Sequence, residues 1–443
     1  MKQNDKLTLE QETKRKYLFL RFKAGLHEII QDKRKAFILV VYLGIAFIAW
    51  ILSDVLFGLN TDDVFALAYK GMINLILPIG VIGGLVFLII KFGSPVGAKR
   101  INDNLWRIGL VNHATEMPFL MKRYKDRNHP EITILEFEAN GIPLSEFEKQ
   151  QAKIETALNI HIAKIIQGTN KQRIVLHTVS GNRVLPKILN WQDDFLSDKS
   201  FELILGESLL GRETVNLAQI PHILLGGSTG SGKSVLLKLL IMQCAKKGAL
   251  VFIADFKGAV DYPLSWYSNC RIITDEKTLL ATLSQIVDVL EERKELLRKY
   301  ECVNIDELNK VVEFTLPRMV FAIDEIAEVL DKNGLDKTSK ELITQIEGKL
   351  STIARQGRAF GIHLILATQR PDANILCGQI KNNVNYRICG RADNVLSQII
   401  LDNADAADRI PKDAQGRFLT NEGIVFQGYL FDEETAFNKR RTP

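Results

Sequence analysis

The run Gly227-Ser228-Thr229-Gly230-Ser231-Gly232-Lys233-Ser234 sets three glycines, a lysine and a terminal hydroxyl at a spacing suited to a polyphosphate. Glycines let consecutive backbone N–H groups curl around phosphate oxygens. Lys233 is placed to reach the β- and γ-phosphates, and Ser234 to ligate Mg2+. Ninety residues on, the acidic pair Asp324-Glu325 follows an apolar run. Asp324 can hold Mg2+ through its water shell, and Glu325 can orient and activate an attacking water. Gln369 closes a further apolar run, where a polar side chain can sense the γ-phosphate. Residues of these types in this order point to hydrolysis of a nucleoside triphosphate, ATP, with Mg2+.

These groups need rigid elements to hold them. Residues 222–225 form an apolar strand before the glycine run, and residues 235–245 an apolar helix after it. That strand–loop–helix context makes Gly227, Ser228, Thr229, Gly230, Ser231, Gly232, Lys233, Ser234 and Val235 the expected nucleotide cradle, with the helix N-terminus adding positive potential. Further apolar strands are predicted at Leu250–Ala254, ending in Asp255 and Lys257, at Met319–Ile323, and at 362–367. Alternation of strands and helices through 220–430 predicts an α/β fold, with one mainly parallel sheet covered on both faces.

Arg358 stands just before the strand at 362–367, at the edge of the sheet away from the glycine run. It cannot easily reach its own nucleotide. It can reach a neighbour's and stabilise transition-state charge in trans, which predicts a ring with sites at subunit interfaces. The alternatives are a surface ion pair for Arg358, or Arg355 as the donor.

Residues 1–35 hold ten Lys/Arg and five Asp/Glu, a net of +5, equal to the net charge of the whole 443-residue chain. The other 408 residues balance, so the basic excess speaks of membrane topology and is no argument for nucleic acid. Residues 36–52 and 71–90 carry no charge and are long enough to span a bilayer. The first run starts too late and is too long for a cleaved signal peptide. Lys33, Arg34 and Lys35 precede the first run, Lys91, Lys99 and Arg100 follow the second, and Asp62, Asp63 and Lys70 lie between. The positive-inside rule places both termini in the cytoplasm of a two-helix, multi-pass cell-membrane protein, with 58–70 outside.

The expected organisation is a basic segment (1–35), a two-helix anchor (36–90), a small adaptor domain (91–200) and a motor domain (201–443). In the adaptor, 131–138 and 173–179 alternate like strands and 144–158 has helical spacing with Ser145 as N-cap, giving an α/β or α+β domain. His161 and His177 read as structural histidines rather than ligands. Cys244, Cys270, Cys302, Cys377 and Cys389 form no CxxC pair and read as free thiols in a reducing compartment.

Pro221-His222, the glycine run at 226–234, Asp255 and Lys257, AIDEIAEV (322–329), GRAFGIHLILATQRPD (357–372), Arg387-Ile388, Ser397 and Ile400-Leu401-Asp402 together resemble the FtsK/SpoIIIE family of DNA translocases. The resemblance covers roughly residues 203–430. It implies a RecA-like P-loop NTPase core, a hexameric ring and ATP-driven movement of double-stranded DNA through a central pore. It also implies that Arg358 is the arginine finger and Gln369 the sensor. Phe256 stands where that family commonly has proline. The chromosome translocases usually have four membrane helices, a long linker and a C-terminal winged helix. Here two helices are expected, without a low-complexity linker, and the chain ends soon after a last strand at 423–430. This layout is more similar to the FtsK-like, TcpA-type coupling proteins of Gram-positive conjugative elements, which deliver relaxase-bound DNA to a conjugative secretion channel. A chromosome-segregation translocase and a type VII-like protein-secretion ATPase stay open as alternatives. Lys257 and Arg391 are candidates for DNA contact that the sequence does not assign.

Overall fold

The computed structural model describes residues 3–52, 64–127, 129–369 and 378–437. The chain divides into two compact units, Met1–Arg183 and Val184–Pro443.

The first unit opens with three helices, α1 (Gln3–Gln31), α2 (Lys33–Ile51) and α3 (Val64–Phe92). Asp32 separates the first two and caps α2, its carboxylate accepting from the Arg34 N–H at 2.9 Å. Two helices, Lys33–Ile51 and Lys70–Phe92, are long and apolar enough to cross a membrane. Asp62 and Asp63 lie outside the described residues. The sequence offered no helix at α1, because its charges mask any apolar period. It forms against α3. Gly25 lies so close to Ile89 that a Cβ there would stand 1.8 Å from the Ile89 carbonyl oxygen. The buried Arg21 guanidinium donates to the Gly93 carbonyl at 3.1 Å and to the Leu120 carbonyl.

The rest of this unit is α4 (Ala98–Arg107), β1 (Phe119–Lys125), β2 (Thr133–Glu138), α5 (Leu144–Lys149), α6 (Gln151–Leu158), β3 (Ile160–Gln167) and β4 (Arg173–Ser180). The strands pair antiparallel throughout in the order β1-β2-β4-β3, so the domain is α+β. The single helix expected at 144–158 is two, divided at Gln150. Ser145 is not the N-cap. Pro143 takes that position with φ −72° and ψ 159°, its ring already fixing the turn into the helix, and Ser145 falls in the first turn. Leu105, Phe137, Phe147 and Leu176 form the core. His161 and His177 sit half-buried on β3 and β4, and burial lowers the His177 pKa.

The second unit holds β5 (Glu202–Ser208), β6 (Gly211–Asn216), β7 (His222–Gly226), α7 (Lys233–Lys246), β8 (Leu250–Ala254), β9 (Cys270–Ile273), α8 (Glu276–Lys299), β10 (Met319–Ile323), α9 (Ile326–Leu330), α10 (Lys337–Gln356), β11 (Ile362–Thr368), β12 (Tyr386–Cys389), α11 (Asn394–Leu401), β13 (Arg417–Thr420) and β14 (Val425–Gly428). They form one ten-stranded sheet in the order β6-β5-β14-β13-β12-β7-β11-β10-β8-β9. The run from β12 to β9 is parallel, as expected. The remaining pairings are antiparallel. The physical reason lies in the β13–β14 connection. It is a four-residue turn with Gly423 at φ 82°, too short for the crossover a parallel return needs. That turn also delays the last strand to Val425.

Helices cover both faces. Leu236, Leu237 and Leu240 of α7 pack with Trp266 on one face. Leu283 and Ile286 of α8 pack with Ile346 and Leu350 of α10 on the other. Each such side chain stabilises by roughly 2 kcal/mol when fully buried. Strands β7, β10 and β11 are buried along their whole length, so their polar ends are held without slack.

Candidate active site

Parallel strands bring their C-terminal ends to one edge of a sheet, where α/β proteins build sites. Here β7 and β11 pair in register, with Gly226 opposite Thr368. On the far side of β11, β10 pairs with Ile323 opposite Leu366. The glycine run, Asp324-Glu325 and Gln369 therefore meet at one edge.

The loop turns on glycines. Gly230 and Gly232 have φ of 74° and 94°, backbone that residues with a Cβ rarely adopt. A Cβ at Gly232 would also stand 3.0 Å from the Gly416 Cα. The Ser228 N–H donates to the Arg391 carbonyl at 2.8 Å, and the Gly416 N–H to the Ser231 carbonyl at 2.8 Å. Gly232 caps α7 without a side-chain bond, which leaves the helix N-terminus facing the loop. The Ser231 hydroxyl is buried with no partner among the described residues.

Lys233, Ser234 and Asp324 form one cluster. The Lys233 ammonium donates to the Asp324 carbonyl oxygen at 2.6 Å and approaches Asp324 Oδ1 at 3.3 Å. The Ser234 hydroxyl donates to the same Oδ1 at 3.0 Å, and Lys257 approaches Oδ2 at 3.3 Å. Burial pushes the Asp324 carboxyl up. Lys233, Lys257 and the Ser234 hydroxyl outweigh it and hold the group below its ordinary value. Burial lowers Lys233 despite its acidic neighbours. Burial also works against charge on Lys257, but Asp324 overcomes it and raises that group.

Glu325 is held from three sides. Its carboxylate accepts from the Thr368 hydroxyl at 2.7 Å, the Gln369 N–H at 2.8 Å and the Ala327 N–H at 3.4 Å. It is thus both the N-cap of α9 and a group at the site edge. The Thr229 hydroxyl donates to Gln369 Oε1 at 2.9 Å. A continuous path therefore runs from the glycine loop through Gln369 to Glu325.

Three residues join the site that sequence reasoning left without a place there. Lys257 faces Asp324. Thr368 holds Glu325. Arg391 donates to the Thr229 carbonyl and the Lys412 carbonyl, each at 2.8 Å, and clamps the loop from behind. Lys257 and Arg391, candidates for DNA contact in the sequence, are engaged with the nucleotide loop and its acid. The signal available for Lys257 was its position two residues past the end of β8.

Arg358 is at the other edge. It lies in the turn between α10 and β11, so seven residues of strand, about 23 Å, separate it from the Gln369 end. It is exposed and has no ion-pair partner among the described residues. Arg355 bonds its own helix, to the Ser351 carbonyl at 3.3 Å. Arg370 and Pro371 lie outside the described residues.

The cluster fits a nucleoside triphosphate with a divalent cation. The glycine-loop backbone, a buried hydroxyl without a partner among the described residues, an ammonium and a helix N-terminus lie within residues 227–234, with Ser234 and Asp324 oxygens in contact. Arrangements of this kind occur in known proteins. A family model, the FtsK/SpoIIIE family, matches residues 196–373. The DNA translocase FtsK of Treponema pallidum is 31% identical over 62% of this chain and 36% of its own length. That of Lactococcus lactis subsp. cremoris is 31% identical over 51% of this chain and 33% of its own. The chain thus spans about a third of the length of these curated relatives. Among solved structures, the pCW3 conjugation coupling protein TcpA, as a monomer with ATPgS, is 34% identical with a TM-score of 0.57. It is matched over 76% of this chain and 96% of its own.

Proposed function

Because the chain belongs to the FtsK/SpoIIIE family, we propose that it is a membrane-anchored ATPase that moves double-stranded DNA as a coupling protein of a conjugative transfer channel. The observation that carries this reading is the extent of the likeness to TcpA. It takes in 96% of that protein, against about a third of the curated translocases. It also covers 76% of this chain, more than Val184–Pro443 alone supplies, so it reaches into the N-terminal unit.

In this reading the glycine loop from Gly227 to Ser234, with Val235, binds ATP, and Lys233 holds its β- and γ-phosphates. Ser234 and Asp324 hold Mg2+, which when bound neutralises charge developing on the phosphates. Glu325 positions and deprotonates water. Gln369 touches both the loop and Glu325, and so reports the γ-phosphate to the base. Arg358 serves the neighbouring subunit of a hexameric ring. The ring lies beneath a two-helix anchor with both termini in the cytoplasm. There it receives DNA from a relaxase and passes it to secretion-channel proteins.

The test is ATP turnover by the purified full chain with and without duplex DNA. Turnover should rise several-fold with DNA of any sequence, and the rise should shrink with added salt as phosphate contacts lose their counterion-release advantage. An unchanged rate would remove DNA as the substrate. Arg358→Ala should be inactive alone and regain turnover when mixed with Lys233→Ala subunits; no recovery would place the finger elsewhere. A second reading, chromosome segregation, is favoured by the names of the curated relatives. Retention of a relaxase by the full chain supports conjugation over it.

A further inference from the structure

A cavity of 1280 Å³ in the first unit opens where the two apolar helices end. Its walls come from α1, the start of α2, the end of α3 and β1. Seven Lys and Arg side chains line it against one carboxylate, Glu28. Some of these cations are already engaged. Lys35 pairs with Glu28 at 2.5 Å, Arg173 with Glu138 at 3.1 Å, and Arg123 donates to the Val96 carbonyl at 3.2 Å. Lys122 reaches Glu136 only at 3.9 Å. The side chains of Lys23, Lys91 and Arg127 have no ion-pair or hydrogen-bond partner among the described residues.

The same cavity is apolar on its other side, where Ile38 of α2 and Leu88 of α3 line it within the segments long and apolar enough to cross a membrane. The outer face of α1 is apolar too. Phe19, Leu26 and Ile30 recur at helical spacing and are 67%, 43% and 83% exposed. A helix with such a stripe beside basic residues suits the plane of a bilayer surface. Unpaired cations above, hydrocarbon below and an opening at helix ends are complementary to one amphiphile.

We propose that this cavity binds an anionic phospholipid. Its headgroup phosphate is held by Lys23, Lys91 and Arg127, and its acyl chains lie along Ile38 and Leu88. Basic pockets beside membrane helices on the cytoplasmic side take anionic headgroups in this way. The site rests on the membrane-spanning reading of α2 and α3, but not on the choice of DNA as substrate.

The experiment uses the full chain purified in detergent, with native mass spectrometry reading lipid retained per chain. The probes are dioleoyl phosphatidylglycerol, dioleoyl phosphatidylcholine and inorganic phosphate. One phosphatidylglycerol should be retained in preference to phosphatidylcholine, and phosphate should not displace it. Retention should fall about fivefold for each cation removed in the series Lys23→Gln, Arg127→Gln and Lys91→Gln. The exposed Lys23 and Arg127 variants settle the point if the triple variant does not fold. A control triple, Lys99→Gln, Arg100→Gln and Arg107→Gln, removes equal charge outside the cavity lining and should retain the lipid. Equal loss in the control would mean diffuse surface attraction. Equal retention of phosphatidylcholine would mean an acyl groove alone, and displacement by phosphate a site for a soluble anion. Each of these overturns the proposal.

Discussion

The two edges of the parallel sheet use charge in opposite ways. At the C-terminal edge, Lys233, Lys257 and Ser234 all converge on one carboxylate, Asp324, beside a loop of backbone donors. At the N-terminal edge, the exposed Arg358 apart, the polar groups are mostly buried. Arg318 is 6% exposed, and His222 and His363 are fully buried. Arg318 donates to Asp306 at 2.6 Å and to His363 Nε2 at 2.9 Å, and its guanidinium lies over the Phe201 ring. Arg293 fastens the same edge through the Pro317 carbonyl at 2.6 Å. The first edge concentrates charge where a ligand can replace one partner by another. The second spends its polar groups on each other. Arg358 apart, substitutions among these groups should therefore separate activity from stability according to the edge they fall on.

The largest expected effect is at the first edge. Lys233→Ala should lower ATP turnover by about 10³-fold, in the range for losing a group that stabilises transition-state charge. It should cost only part of the stability of a buried pair, since Lys257 and the Ser234 hydroxyl still face Asp324. A fall in Tm matching the fall in rate would break the contrast. Glu325→Gln should lower turnover by about 10²-fold while fluorescent-nucleotide binding persists. The amide keeps an acceptor for Thr368 but sets an N–H against the Gln369 N–H, so a small loss of stability goes with it. Wild-type turnover in this variant would remove Glu325 as the base.

Arg318→Ala probes the second edge. It strips the buried His363 Nε2 of its donor and leaves the half-exposed Asp306 without its cation, a loss of about 2 kcal/mol set mainly by the unsatisfied imidazole. Denaturant midpoints should fall, while turnover per folded molecule stays within a factor of about two of the parent, because Arg318 is spent on Asp306 and His363 and meets no nucleotide. A variant stable but inactive would show the edges to be coupled.

What the sequence made legible follows the same division. The strand ends proposed to carry chemistry were readable because the glycine loop, the acid pair and Gln369 each adjoin an apolar run. The partners that tension them were not. Arg391 meets Thr229 across 162 residues. Asp306 and Arg318 meet across twelve residues whose periodicity does not pair them. The pairing of β14 with β5 likewise joins segments some two hundred residues apart, and nothing in the alternation of either strand names its partner. The helix at α1 depends on its fit to α3 around Gly25, which residue periodicity does not report. In the small domain, β1 and β3 escaped because their outer faces are too mixed to show a clean period.

A pH dependence sharpens the contrast without a mutation. His222 Nδ1 accepts from the Leu364 N–H at 2.9 Å. His363 holds the Pro221 carbonyl with Nδ1 at 3.0 Å and so turns a bare Nε2 to Arg318. Each ring thus presents an unprotonated nitrogen to a fixed N–H donor, and a proton there would face another proton. Burial accordingly lowers His222 to about 4 and His363 well below its ordinary value, the latter helped by the Arg318 charge. The unfolded chain then binds more protons than the folded one across this range, so acid favours unfolding. The stabilisation is complete above about pH 6.5 and should decline by about 2 kcal/mol for each ring by pH 5, at roughly 1.4 kcal/mol per unit. Asp324 also loses stabilisation on acidification, but only below its ordinary carboxylate range, so the two edges titrate in separate windows. Chemical denaturation of the chain at pH 7, 6 and 5 reads this directly. A flat profile would mean that these rings take up protons as readily in the fold as in the unfolded chain, and that the edge is held by something other than two neutral rings.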